Sequence, residues 1–190
     1  FPTRRSSDLA FDKAARVLGL PYPGGPRIDA LAEEGDPHFL SLPHPKLEGR
    51  YDVSFSGVKT AFLNAVNQME QKGMPLPKAD LAASFRNAVC EQLTEKAEAM
   101  LRDRMADGQR PAMAMAGGVS ANRELRRQMT ALCEKLDLPL YLPRIDLCTD
   151  NGAMVAAAAY RKAYFGLYAS DRLDCFPNLN IQTQLGKLDE

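Results

Sequence analysis

The chain reads as an α/β or mixed domain, and three observations point there. Long segments with helical spacing alternate with short apolar runs that end on glycine. The 190 residues are 45% hydrophobic and 25% charged, which is enough apolar content for a globular core. No internal repeat, low-complexity tract or apolar run near the roughly 18 residues of a membrane span interrupts the pattern.

The elements follow in order. Phe11, Ala14, Ala15 and Leu18 recur at helical spacing from Ala10, with Gly19 as the stop. PYPGGP, residues 21–26, reads as a rigid turn, and 28–34 as a short helix with Ile28, Leu31 and Ala32 on its apolar face. A proline-rich loop carrying His38 and His44 runs from Asp36 to about Gly49. Tyr51, Val53 and Phe55 alternate with polar residues and predict a short strand. Val58, Phe62, Val66 and Met69 then predict a helix, and Gly73–Pro77 a loop. The strongest amphipathic pattern spans about 79–105, with its stripe at Leu81, Phe85, Val89, Leu93 and Ala97. PAMAMAGG predicts a buried strand, 120–136 a helix with Ser120 near its N-cap and its stripe at Leu125, Met129, Leu132 and Leu136, and 138–142 a second strand. LCTDNGAMVAAAAY is a loop entering an alanine-rich helix that ends near Phe165, and the tail 166–190 has no clear period.

Charge and cysteine content exclude several classes. Lys plus Arg and Asp plus Glu both number 24, so a nucleic-acid partner would have to meet locally clustered positive charge, such as Arg123, Arg126 and Arg127. Cys90, Cys133, Cys148 and Cys175 are scattered, form no metal-ligand spacing, and read as reduced thiols. There is no apolar segment behind the N-terminal arginines to make a signal peptide, so the expected location is cytoplasmic. His38 and His44 stand six apart in a proline-rich loop, which fits no helical metal pair, and both read as surface residues.

Four stretches carry possible chemistry. In MAMAGGVSANRELR, paired glycines precede a helix N-terminus, so backbone N–H groups and the Asn122 amide can meet a nucleotide; a plain strand–turn–helix connection explains the same pattern. In LCTDNGAMVA, Asp150 stands beside small residues that leave room for a metal, although Thr149 or Asp150 as a helix cap accounts for it equally. PYPGGP is either a turn or a backbone packed on a ligand, and SFSGVKT is a capped helix start.

Taken in order, AFDKAARVLGLPYPGGP, DVSFSGVKTA, ASFRNAV, MAGGVSANRELR and LCTDNGAM closely resemble the C-terminal part of the tRNA threonylcarbamoyladenosine transferase family, TsaD in bacteria. The resemblance runs from Ala10 to about Phe165. It implies an α/β fold of the actin-like, sugar-kinase-like ATPase type, of which this chain is mainly the C-terminal lobe. It implies transfer of a threonylcarbamoyl group from threonylcarbamoyl-adenylate to N6 of the adenosine 3′ of the anticodon, in tRNAs reading A-starting codons. By matching motif, Asp12, Gly25 and Asn122 would contact the adenylate and Asp150 would bind one divalent metal, expected to be Fe2+. The implied mechanism is attack by N6 on a metal-polarised carbonyl with AMP leaving; no general base is evident in the sequence. Implied partners are tRNA and the small proteins of the bacterial complex, among them a paralogue of the same fold and an ATPase subunit.

Departures accompany the resemblance. The family's HxxxH metal pair and its glycine-rich SGGH stretch lie upstream of AFDK and are not in this chain; His38 and His44 do not replace them. The end reads DCFPNLNI rather than a VRPRW-like sequence. Residues 1–9, FPTRRSSDL, read as translation of a common sequencing-adapter oligonucleotide, against a natural polar arm in which Ser7 or Asp8 caps the first helix. The expected organisation is therefore 1–9 adapter-derived, 10–165 the C-terminal part of the transferase, and 166–190 a tail, with the 190-residue chain inactive alone. The rivals are a non-catalytic actin-fold scaffold of the same complex, a sugar kinase, whose phosphate loops AFDK and SFSGVK do not fit, and a metallopeptidase, for which no HExxH helix is present.

Overall fold

The computed structural model describes residues 4–44 and 48–168, with side-chain environments from residue 9 onward. The order is α1 (Arg4–Val17), α2 (Gly24–Leu31) continued by a 3-10 turn (Ala32–Glu34), α3 (Ser56–Gln71), α4 (Lys78–Ala106), β1 (Met113–Ala114), a 3-10 turn (Gly118–Ala121), α5 (Arg123–Lys135), β2 (Leu140–Tyr141), a 3-10 turn (Ile145–Leu147) and α6 (Gly152–Tyr164). The result is helix-rich with one small parallel sheet. A boundary between compact units falls between Asp150 and Asn151, so α6 belongs to a second unit.

Two apolar clusters fill the first unit, and α4 runs through both. In the first, Phe85 on α4 meets the edge of Phe11 from α1 at 5.4 Å between ring centroids and Phe62 from α3 at 4.9 Å. Ala14, Leu18, Ile28, Val58, Val66, Leu81 and Val89 close around them. Each such large side chain contributes about 1.5–3 kcal/mol by leaving water. In the second cluster Cys90, Ala97 and Leu101 of α4 pack against Leu125, Met129 and Leu132 of α5 and Leu138 before β2. On α5 the expected stripe residues Leu125, Met129 and Leu132 are the ones buried. On α4 the stripe residues Leu81, Phe85, Val89 and Ala97 are buried, but so are Ala82, Ala83, Ser84, Arg86, Ala88, Cys90 and Gln92, so its first half is enclosed on every side rather than along one face.

The strands run parallel with Met113 opposite Leu140 and Ala114 opposite Tyr141. Met113 N–H donates to Pro139 O at 2.9 Å and Met115 N–H to Tyr141 O at 3.0 Å. With α5 between them they form a βαβ unit. The PAMAMAGG strand is shorter and more open than expected. Met113 and Met115 are half-buried on the second cluster, while Ala112, Ala114 and Ala116 face solvent among the described residues. Strand alternation is present, but only one face is covered.

Other expectations need correction. Residues 51–55 form no strand. Val53 and Phe55 are buried as their alternation implies, yet the backbone turns, with Asp52 N–H donating to Gly49 O at 3.1 Å. Helix α1 begins at Arg4 rather than Ala10, because no breaker stands between Arg4 and Gly19, so Ser7 and Asp8 lie inside it rather than at its start. PYPGGP is only partly a turn: Gly24, Gly25 and Pro26 are the first turn of α2. The tail beyond residue 168, including Cys175, lies outside the described residues.

Candidate functional site

The site builds from two helix starts. Helix α2 begins after Pro23, whose extended backbone (φ −76°, ψ 139°) sets the entry but whose side chain offers no cap. Asp12 of α1 supplies one from outside: its Oδ1 accepts from Gly24 N–H at 2.8 Å. A carboxylate at the positive end of a helix is favourable, and its capping bond satisfies one otherwise orphaned donor. Gly24 is what lets the two helices meet. A Cβ there would lie 2.7 Å from Ala15 Cβ and from Asp12 Cα. Gly25, one residue on, has no heavy atom within 4 Å of where its Cβ would be. The expected ligand-facing glycine thus borders open space, and Asp12 keeps Oδ2 as its second acceptor.

The second start follows β1. Gly117 takes φ 85°, a region glycine enters without penalty, and the chain winds into Gly118–Ala121. Ser120 secures this turn: its N–H and its hydroxyl both donate to Gly117 O, at 2.9 and 2.6 Å. Ser120 was expected near the cap, but the cap is Asn122, whose Oδ1 accepts from Leu125 N–H at 2.9 Å. Cys90 Sγ lies 3.5 Å from the same oxygen. The carbonyl end of the Asn122 amide is committed to the helix, which leaves its NH2 as the end a ligand can use.

Asp29 joins the two starts. From within α2 its buried carboxylate accepts from Arg123 N–H at 3.3 and 3.4 Å, in the first turn of α5. Helix α1 also packs against the Gly118–Ala121 turn. Asp12, Gly25 and Asn122 therefore stand on elements in direct contact. Asp150 lies on the loop after β2, which leaves the same end of the parallel pair as the Asn122 turn. That is the end of a parallel sheet where ligands bind. Asp150 is exposed, and the cap of α6 is Asn151, accepting from Met154 N–H at 3.0 Å, rather than Thr149 or Asp150.

Sequence reasoning passed over Arg86, inside the quoted ASFRNAV. It is 5% exposed, and Nη1 donates to Asp29 O at 2.9 Å and Asp29 Oδ1 at 3.1 Å. It also bonds Glu33, and its Nη2 reaches Ala32 O at 3.2 Å. The guanidinium thus closes the C-terminal end of α2, where a cation is favoured. Its hydrogen bond holds the Glu33 carboxyl below the ordinary carboxylate value. The available signal was an arginine beside Phe85 on a buried face, with Asp29 and Glu33 one helical turn apart upstream.

A cavity of about 360 Å3 lies beside this pair, lined in part by Glu33, His38, Arg86, Glu91, Glu124 and Arg127. None of the four expected site residues lines it, and two of its carboxylates are paired with its arginines, Glu33 with Arg86 and Glu124 with Arg127. As to a metal, no group of three or more His, Cys, Asp or Glu side chains that could hold an ion exists among the described residues. The described donor set does not by itself fit a resident metal; Asp150 offers a single oxygen ligand.

Comparison with known proteins identifies the family. Residues 4–157 match the TsaD family, described as tRNA N6-adenosine threonylcarbamoyltransferase. A protein of that name from Thermosipho africanus (strain TCF52B) is 41% identical over 173 residues, which cover 90% of this chain and 51% of that one. One from Synechococcus sp. (strain JA-3-3Ab) is 50% identical over 149 residues, covering 78% and 40%. One from Desulfitobacterium hafniense (strain Y51) is 44% identical over 173 residues, covering 90% and 50%. The chain spans about half the length of these curated relatives. With its motifs in family order and the match extending over most of its length, the chain belongs to the TsaD family of tRNA N6-adenosine threonylcarbamoyltransferases.

Proposed function

We propose that this chain is the C-terminal part of an actin-like transferase that moves a threonylcarbamoyl group from threonylcarbamoyl-adenylate to N6 of the adenosine 3′ of the anticodon in tRNAs reading A-starting codons. The observation that carries the reading is the convergence of Asp12, Gly25 and Asn122 on the joined starts of α2 and α5. The residues divide the adenylate between them. The Asp12 carboxylate accepts from ribose hydroxyls, the open backbone at Gly25 admits the close approach of a phosphate or sugar, and the Asn122 NH2 donates to a polar edge. Held there, the adenylate presents its carbamoyl carbon to the amine. A C–N bond forms at N6, the bond from the carbamoyl carbon to the phosphate oxygen breaks, AMP leaves, and the amine loses a proton.

Asp150 supplies one ligand to a divalent metal, Fe2+, with the remaining ligands from residues outside this chain. The enzyme works in the cytoplasm with tRNA and the small proteins of the threonylcarbamoyladenosine complex, including a paralogue and an ATPase. No helix among the described residues is long and apolar enough to cross a membrane.

The test is nucleoside analysis of tRNA incubated with adenylate and either the 190-residue chain or the same chain joined to the N-terminal half its relatives carry. Modified adenosine is expected only with the joined enzyme. Turnover by the 190-residue chain, or none by the joined enzyme, refutes the proposal.

A further inference from the structure

The turn after β1 and the loop after β2 are separate in sequence, and one side chain touches both. Arg126 stands one helical turn beyond Asn122, its own N–H donating to Asn122 O at 3.1 Å. From there the guanidinium folds back over the start of α5. Its Nε–H donates to Ser120 O at 2.5 Å. Its Nη2 donates to Pro143 O at 2.6 Å and lies 3.3 Å from Cys148 Sγ. Cys148 is 2% exposed and its thiol donates to Arg144 O at 3.3 Å. Only a planar fork with donors aimed in different directions serves two carbonyls on two segments at once; a lysine ammonium presents a single point.

These contacts constrain the candidate site directly. Ser120 O belongs to the same turn in which Gly117 O is held by the Ser120 hydroxyl and N–H, and Val119 O by Asn122 N–H at 3.0 Å. With Arg126 added, both ends of the turn leading to Asn122 are fixed, one internally and one to the β2 loop. A ligand that selects one orientation of the Asn122 amide must therefore find the 143–148 loop already seated. We propose that Arg126 is a positioning residue for the adenylate: it locks the Gly117–Asn122 turn to the 143–148 loop, so that occupancy at Asn122 and the packing of Cys148 change together. This rests on the adenylate reading above.

The experiment uses the enzyme joined to its N-terminal half, as wild type, Arg126→Lys and Arg126→Gln. Two quantities are read: the dissociation constant of a non-hydrolysable sulfamoyl analogue of threonylcarbamoyl-adenylate, and the iodoacetamide alkylation rate of each cysteine by mass spectrometry, with and without that analogue. In the wild type the analogue should slow alkylation of Cys148. Arg126→Lys keeps the charge and most of the stem but loses the fork. It should weaken the analogue about tenfold, raise Cys148 alkylation by a similar factor and abolish the protection, while Cys90 and Cys133 stay as slow as before. Arg126→Gln should do the same or more; if it unfolds, seen as Cys90, Cys133 and Cys148 all reacting, the lysine variant decides. A residue that only tied the loops together would expose Cys148 and leave the affinity unchanged. Unchanged affinity and protection in Arg126→Lys overturn the proposal. A wild type that does not bind the analogue overturns the adenylate reading, and Cys148 alkylation in the variants then still reports whether the lock exists.

Discussion

Two adjacent glycines should behave oppositely when given a methyl group. At Gly24 the new Cβ would meet Ala15 Cβ and Asp12 Cα at 2.7 Å and Asp12 Oδ1 at 2.9 Å. Two of these neighbours are fixed to the α1 backbone and no rotamer relieves them. To reach even the tight limit of 3.4 Å, α1 and α2 must separate by about 0.7 Å, which stretches the Asp12–Gly24 bond from 2.8 Å and loosens Phe11 on Phe85. Overpacking of this kind costs about 1–3 kcal/mol, partly countered by the higher helix propensity of alanine, itself about 1 kcal/mol. A net loss of up to about 2 kcal/mol is expected for Gly24→Ala. At Gly25 nothing opposes the methyl, so Gly25→Ala should be neutral or stabilising by up to about 1 kcal/mol. Urea denaturation of both variants, followed by circular dichroism, measures the difference. The same proteins, joined to the N-terminal half, are titrated with the adenylate analogue, where Gly25→Ala should lose affinity despite its stability. Equal stabilities for the two variants would refute the packing argument. A stable Gly25→Ala with wild-type affinity would remove Gly25 from the proposed site.

Three further outcomes are expected. Asn122→Ala should cost about 1 kcal/mol through loss of the bond to Leu125 N–H, whereas Asn122→Asp keeps an oxygen cap and most of the stability; both should lose analogue affinity, and an Asp variant that binds normally would show that the NH2 has no ligand role. Asp150→Ala in the joined enzyme should lower bound metal and tRNA modification together, measured by elemental analysis and nucleoside analysis; unchanged metal occupancy argues against a ligand at 150. Glu33 titrates below its ordinary 4.5 because of Arg86, so its contribution is complete above about 4.5 and is lost as pH falls through the lower folded value. Glu33→Gln should therefore flatten the acid limb of the stability profile below pH 4.5 relative to wild type, and parallel limbs would count against the pairing.

Helix α5 was legible because its burial follows one period, with Leu125, Met129 and Leu132 as the buried stripe; on α4 the spacing of Leu81, Phe85 and Val89 located the helix, although Ala82, Ala83, Ser84, Arg86, Ala88 and Cys90 among them are buried as well. The strand readings were weaker, since alternation reports which side chains face inward and not whether a neighbouring strand exists. Val53 and Phe55 point inward from a turn, and Met113 and Met115 from a strand with one covered face. Of the expected site, Asp12, Gly25 and Asn122 meet through tertiary contacts, and the residues that make them meet were the least visible. Gly24, Asp29, Arg86 and Arg126 reach partners between 12 and 94 positions away, and no local spacing encodes such pairs. The cap positions were misread by one or two residues, Asn122 for Ser120 and Asn151 for Asp150, because serine, aspartate and asparagine are near-equivalent caps until the backbone angles are known.

Helix α4 is 29 residues long, about 43 Å, and it is the only described element buried in both apolar clusters. Its first half carries Phe85 in one and its second half Leu101 in the other, with Val89 and Cys90 adjacent at the changeover. Neither cluster can dissolve without exposing one end of a rod whose other end is still gripped. The amides of α4 should consequently exchange with solvent as one block, at the slowest rate in the chain, and the ends of α1 and α5 should release theirs earlier.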